Sequence, residues 1–295
     1  MEPFVTTDTE NPALTRLRAR IAERWEGLSK SERAVSGALT AMSAERLLYA
    51  SAAELGVQSK TSNASVVRTL QTLGYAGLSE LKQEVAAPFS SSVSPEARLR
   101  SRLEHLGQDL GQTQREVWAE AQDLITLASR ANSDEQYSAA VNLIVHADTV
   151  FCYGLGASGN TADHLALRLR RVGVNTRRLT TDGFRLADEI MNMSARDLLV
   201  LFAPGRVTRD MEALIDQAQL VGASSLLITD ELQDQLGARV SLTLTAPHTP
   251  TGLTSEGIAG ILISDVLVQA VSAVAPDTAL RSSQTLNDLR RRLGY

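Results

Sequence analysis

The sequence predicts an α + α/β chain, with an all-α N-terminal domain followed by a doubly wound parallel-sheet domain. Three observations carry this. Residues 13–88 read as a succession of helices with apolar residues at helical spacing. The segment 88–95, PFSSSVSP, combines two prolines with four serines and reads as a linker. After Ser133, short β-rich runs alternate with helices, the pattern of a parallel sheet covered on both faces. The expected division is therefore 13–88, a linker at 89–95, and a second domain at 96–295.

Each element has a local reason. Leu14, Leu17, Ile21 and Trp25 predict a helix over 13–28. Ser29-Lys30-Ser31-Glu32 offers a hydroxyl cap for a helix over 33–42, and a third fits 43–49. A helix from Ser79 turns Leu81 and Val85 inward, and 95–132 is helical and amphipathic, with Leu99, Leu103, Leu106 and Leu110. Strands are expected at 149–153, 175–179, 198–203, 224–229 and 240–245. Helices are expected at 160–172, 184–193 and 208–221, as a short segment before the last strand, at 256–274, and from Pro276 onward.

The stretch 51–75, SAAELGVQSKTSNASVVRTLQTLGY, carries the first functional signal. It reads as a short helix, a tight turn and a second helix whose apolar side is Val66, Val67, Leu70 and Leu73. That is the pattern of a helix-turn-helix, whose second helix enters the DNA major groove. Lys60 occupies the turn and Ser62 caps the second helix. Asn63, Ser65 and Arg68 are placed to reach base edges, and Thr61 and Thr69 to reach phosphates. A plain helical hairpin is the alternative reading of this segment alone.

Composition bounds the possibilities. Apolar content of 43% and charged content of 21% describe an ordinary globular protein. No apolar run approaches the roughly 20 residues needed to span a membrane, and the acidic start MEPFVTTDTENP has no leader-like pattern. A single cysteine, Cys152, excludes an intrachain disulfide and fits the cytoplasm. Four scattered histidines give no metal-ligand spacing, so neither metal nor cofactor is expected. The net charge is −5, and residues 1–95 are balanced at ten acidic and ten basic side chains. DNA binding must then rest on a local basic face.

The runs LSKSERAVSGAL (28–39) and AAELGVQSKTSNASVVRTLQTLGYAGLSELK (52–82) closely resemble the N-terminal domain of the RpiR/MurR family of bacterial transcriptional regulators. The most specific pieces are Ser31-Glu32-Arg33, ASVVR at 64–68, Leu73-Gly74-Tyr75 and Gly77–Lys82. The resemblance implies a double-stranded DNA operator read by Lys60, Thr61, Ser62, Asn63, Ser65, Arg68 and Thr69. This copy departs from the family at Gly56, within the first helix, and at Lys60-Thr61 in the turn. Glycine costs about 1 kcal/mol in a helix interior, which predicts a short or bent first helix.

The second signal is VFCYGLGASGNTADHLALRL, 150–169, a hydrophobic strand running into a glycine loop and a helix. Glycines let backbone N–H groups approach an anion, and a helix N-terminus favours negative charge. Gly154, Gly156 and Gly159 also satisfy a dinucleotide fingerprint, but the first acidic residue after the next strand, Asp182, comes too late. A tight strand–helix turn without a ligand is the third reading.

Residues 130–275 resemble the sugar isomerase (SIS) domain, which implies a phosphosugar-binding pocket at the strand ends. Gly154, Gly156 and Ser158 match the family's first loop, with Asn160 nearby. The second loop, usually Ser-x-Ser-Gly-x-Thr, is replaced by Phe202-Ala203-Pro204-Gly205-Arg206-Val207-Thr208-Arg209-Asp210. Arg206 and Thr208 are the remaining anion-binding candidates there, and for Arg206 and Arg209 a salt-bridged or solvated helix start is the equal alternative. Glu256 is the best-placed carboxylate, ahead of Asp182, Asp188 and Glu189, although caps and dipole partners are the commoner role. His164 and Cys152 are expected to pack or lie at the surface.

The expected function is a DNA-binding regulator whose SIS-like domain senses an anionic carbohydrate-derived effector at Gly154, Gly156, Ser158, Asn160, Arg206, Thr208 and Glu256. A homodimer or homotetramer is expected, because helix-turn-helix proteins read palindromic sites as dimers. No catalytic residue is assigned. A phosphosugar isomerase with an accessory helical domain is the alternative, and a nucleotide-binding oxidoreductase a weaker third.

Overall fold

The computed structural model describes residues 11–86, 99, 100, 102, 103, 106, 109–205, 207–249 and 251–295. The expected linker at 89–95 and Arg206 lie outside the described residues. The chain packs as two compact units: the described residues up to Leu127 together with Thr249–Ser255, and Ala128–His248 together with Glu256–Tyr295. The division by packing thus falls after Leu127, beyond the composition-based linker.

The first unit is helical. It runs α1 (Pro12–Arg24), a 3-10 turn (Trp25–Gly27), α2 (Lys30–Thr40), α3 (Ala44–Tyr49), α4 (Ala52–Ser59), α5 (Asn63–Thr72), α6 (Leu78–Ala86) and α7 (Leu110–Ala128). Hydroxyl caps set the helix starts. Ser29 and Ser51 each accept from the backbone N–H three residues on, while Glu32 and Glu54 reach back to their own cap N–H groups. Ser43 and Ser62 cap α3 and α5. Leu14, Leu17, Leu39, Leu47, Leu55, Leu70, Leu73 and Leu81 meet in one core, so the leucine periodicity of each helix points where the pattern says. Leu99, Leu103 and Leu110 of the expected amphipathic stretch are exposed.

The second unit runs α8 (Asp134–His146), β1 (Val150–Gly154), α9 (Ala157–Arg171), β2 (Thr176–Arg178), α10 (Gly183–Ile190), β3 (Leu198–Phe202), α11 (Arg209–Val221), β4 (Ser224–Thr229), α12 (Gln233–Leu236), β5 (Leu242–Thr245), α13 (Ile258–Val274) and α14 (Pro276–Arg292). The five strands are parallel in the order β2-β1-β3-β4-β5. Alternate residues of β1 and β3 enter opposite cores, as a two-residue side-chain period requires. Cys152, Val200 and Phe202 pack with α8, α9 and α13, while Phe151, Tyr153, Leu199 and Leu201 pack with α10 and α11. The strand order reverses direction beside β1, and ligands of such sheets sit outside the strand C-terminal ends at that switch point.

Candidate functional site

The first candidate surface is the α4–turn–α5 hairpin. Lys60 closes α4 in the left-handed conformation at φ 53°, a position that usually demands glycine. Its N–H bonds the Val57 carbonyl, and the Thr61 N–H bonds the Gly56 carbonyl at 2.7 Å. Gly56 does not break the helix. A Cβ there would stand 3.0 Å from the Thr61 carbonyl oxygen and 3.2 Å from Asn63 Oδ1. The glycine is what lets the turn fold back tightly against α4, and α4 continues to Ser59.

The tight turn presents Lys60, Ser62, Asn63 and Arg68 to solvent, while Thr61 and Ser65 are partly exposed. Ser62 Oγ accepts from the Ser65 N–H at 3.2 Å and lies 3.0 Å from Ser65 Oγ. Arg68 donates to the Ala64 carbonyl at 3.3 Å, which holds its guanidinium along the helix. Thr69 is a correction: it is fully buried and donates to the Ser65 carbonyl at 2.7 Å, so it cannot reach a phosphate. Val67, expected inward, is only half-buried. Gln71 was not singled out in the sequence. It is exposed one turn beyond Arg68, and glutamine can pair with an adenine edge. The i, i+3 spacing from Arg68 was the available signal.

Behind α5, Glu32 accepts from Thr72 Oγ1 at 2.7 Å and from the Ser29 N–H at 2.8 Å. The Ser29 side chain and backbone N–H, then Thr72, hold its carboxyl below the usual range. Glu32 therefore ties α2 to the C-terminal end of α5 as well as capping α2.

The second candidate surface lies where β1 meets α9. Gly154 can bear no side chain: a Cβ would fall 2.4 Å from the Ser158 carbonyl oxygen. Gly156 is at φ 58° with no neighbour within 4 Å, so backbone conformation rather than crowding requires glycine there. The loop is held from beneath by Arg178. Its guanidinium donates to the carbonyls of Cys152 (3.1 Å), Gly154 (3.3 Å), Gly159 (3.3 Å) and Leu179, and to Asp163 at 2.6 Å. Sequence reasoning missed Arg178, because its partners lie up to 26 residues away.

A pocket opens above this loop, lined by Ser158, Thr161, Phe202, Ala203, Pro204, Ile228, Ala246, Glu256, Gly257 and Gly260. Ser158 and Glu256 from the expected set therefore meet in one cavity. Gly154 supports the loop from the end of β1, and Gly156 and Asn160 are exposed beside it without lining the cavity. Thr208 instead caps α11, accepting from the Met211 N–H at 3.3 Å. Of the residues that replace the second loop, Phe202, Ala203 and Pro204 give the cavity an apolar lining, alongside Ser158 and Thr161. Nearby, His248 bonds Asp230 at 2.7 Å and approaches Glu231 at 3.8 Å. Burial pulls the His248 pKa down, but the Asp230 hydrogen bond and the charges of Asp230, Glu231 and Glu256 outweigh it, and the net direction is up.

Of the other carboxylates considered for acid–base work, Glu189 serves the fold. Asp182 sits at the N-cap of α10, and Glu189 accepts from the Thr180 N–H at 3.2 Å. His164 ties α9 to α13 through Asp265 at 3.0 Å, which also pairs with Arg168 at 3.1 Å. Cys152 is buried, and burial pushes its thiol up to about 12.

Comparison with known proteins matches residues 15–92 to the helix-turn-helix domain of the rpiR family and residues 143–270 to the SIS domain. The chain is 26% identical to the uncharacterized HTH-type transcriptional regulator YfhH of Escherichia coli (strain K12), over 90% of this chain and 96% of that one. It is 25% identical to the uncharacterized HTH-type transcriptional regulator YbbH of Bacillus subtilis (strain 168), over 76% and 80%. Its fold is similar to that of the Vibrio vulnificus NanR protein complexed with ManNAc-6P, at 22% identity, a TM-score of 0.55 and coverage of 95% and 98%. It is also similar to the sugar isomerase domain of an RpiR transcription factor from Sphaerobacter thermophilus, at 23% identity, a TM-score of 0.57 and coverage of 60% and 99%. Both domains are matched in order along one chain, so this protein joins a helix-turn-helix domain of the rpiR family to a SIS domain, the architecture of an HTH-type transcriptional regulator.

Proposed function

We propose that this regulator reads its operator with the exposed edge of α5 and that a sugar phosphate seated over the β1–α9 loop modulates that binding. One observation carries the first part: Lys60, Ser62, Asn63, Arg68 and Gln71 are solvent-facing on a hairpin whose opposite side is locked into the core. The second part is supported by the pocket, where the Ser158 hydroxyl stands in the first turn of α9 and that helix N-terminus favours an anion. NanR, a protein of similar fold, was solved with ManNAc-6P. The apolar wall at Phe202–Pro204 gives such a ligand a less polar surface to lie against.

The pocket binds rather than converts its ligand in this reading. Glu256 lines the cavity, but His248 is engaged by Asp230, and the described residues supply no second unengaged acid–base group in the cavity lining. The protein works in the cytoplasm as a homodimer or homotetramer on a two-fold operator. A mobility-shift assay with the promoter region of its own gene tests the DNA reading: wild type binds, and Asn63→Ala/Arg68→Ala does not. Undiminished binding by that double variant would refute the interface. Thermal shifts with N-acetylmannosamine 6-phosphate and other hexose phosphates test the pocket, and turnover of any of them would restore the isomerase reading.

A further inference from the structure

The connection between β5 and α13 is divided in an unusual way. His248 and Glu256 pack in the second unit, but Thr249–Ser255 packs in the first. Within the first unit this segment is fastened by one carboxylate. Glu120 of α7 accepts from Thr249 Oγ1 at 2.7 Å, Thr254 N–H at 3.2 Å, Thr254 Oγ1 at 3.2 Å and Thr251 Oγ1 at 2.5 Å. Thr249, Thr251, Thr254 and Glu120 are all buried. Arg102 adds a bond to the Gly252 carbonyl at 2.6 Å, where the backbone adopts φ +66°.

The same carboxylate faces the DNA-binding domain. Lys82 of α6 places its buried ammonium 4.0 Å from Glu120 Oε2. Burial lowers the Lys82 pKa, opposed by the charges of Glu120, Asp123, Glu54 and Glu116. Ser51, the N-cap of α4, lines one cavity with Lys82, Glu116, Glu120, Asp123 and Leu253. A surface connection has no need of four hydrogen bonds to a buried carboxylate that also faces a buried lysine. Such groups are costly to bury and poorly tolerant of displacement.

The next residues along the chain, Glu256 and Gly257, are walls of the candidate effector pocket. We infer that Thr249–Ser255 is a coupling strap: movement of the pocket wall at Glu256–Gly257 pulls on the Glu120 clamp, and through Lys82 and Ser51 on the start of the helix-turn-helix. The strap supplies what coupling requires, an element whose position both sites bias. This inference rests on the proposed pocket for its biological meaning, but its mechanics can be measured without operator or effector.

Hydrogen exchange on the full-length protein is the test. Thr251→Val removes one of the clamp's donors and spares the buried charges; Glu120→Gln is the stronger variant and is used if its circular dichroism melt remains cooperative. We expect Thr251→Val to raise exchange about fivefold or more in the strap and also at Gly257–Ile261, the opening of α13. Reciprocally, Gly260→Ala, which places a Cβ 2.9 Å from Thr161 Cγ2 in the pocket, should change exchange in the peptides covering Lys82 and Glu120. The proposal is overturned if Thr251→Val loosens only 249–255 and leaves Gly257–Ile261 at wild-type rates, or if Gly260→Ala leaves the α6 and α7 peptides unchanged. Loss of the DNA-binding reading in the mobility-shift assay would leave this result intact, and the reverse holds as well.

Discussion

Gly154→Ala is the sharpest probe of how the pocket is built. Gly154 ends β1 and is paired in register with Phe202 of β3, so the strand cannot drift to accommodate a side chain. The new methyl carbon would stand 2.4 Å from the Ser158 carbonyl oxygen and 2.6 Å from its carbon. That is about 1 Å inside the separation at which carbon atoms attract. Both atoms belong to backbone in the first turn of α9, so the relief must come from the loop. Displacing packed backbone costs about 1–3 kcal/mol. For a unit of this size each kcal/mol lowers Tm by about 2–4 °C, which gives a fall of about 2–12 °C. Calorimetry of the full chain measures it. Gly156→Ala is the control: it meets nothing within 4 Å, and its cost comes from φ 58° alone. If Gly154→Ala melts within 1 °C of wild type, the close approach of loop and strand is not a constraint. The argument that Gly154 shapes the site would then fail.

Further outcomes follow from the same geometry. Arg68→Ala should weaken operator binding by about tenfold or more and relax specificity at the base pair it reads, checked by mobility shifts on operator variants. Thr69→Val should leave affinity unchanged and alter stability by about 1 kcal/mol at most, since only the bond to the Ser65 carbonyl is lost. Arg178→Met strips the donors from the Gly154 and Gly159 carbonyls, and a fall of about 1–3 kcal/mol in the stability of the second unit is expected in denaturant melts. The folded-state pKa of His248 is raised from 6.5, so its stabilisation is complete below that value and is lost as pH rises through the folded value. Tm of wild type should therefore fall relative to His248→Gln as pH rises above 6.5, and an identical pH dependence in the two proteins would contradict the assigned ion pair.

What was legible in the sequence is what short spans decide. The strand–helix alternation placed all five strands: β1, β3 and β4 are mainly apolar runs, while β2, Thr-Arg-Arg, and β5, Leu-Thr-Leu-Thr, were legible through their place in the alternation. The Ser62 cap and the Val66–Leu70 spacing placed α5 the same way. Gly56 was half-read for a local reason: helix propensity gave the short α4 of eight residues, whereas the tertiary turn back to Thr61 and Asn63 is what requires the glycine. Thr69 was misplaced because a threonine can satisfy its hydroxyl on the carbonyl four residues back and then bury like a valine. Arg178 and Glu120 were invisible for a different reason. Each is defined by partners far along the chain, up to 134 residues away for Glu120, and no periodicity or spacing encodes such a set. These two are also the residues that tie loops into the structure. A SIS pocket in an enzyme has only to hold its substrate, whereas a SIS pocket in a regulator must in addition report occupancy to a helix-turn-helix. The reporting depends on how firmly its loops are fastened elsewhere. The added requirement falls on long-range anchors such as Glu120, so the part of this protein most specific to regulation is the part a linear reading sees least.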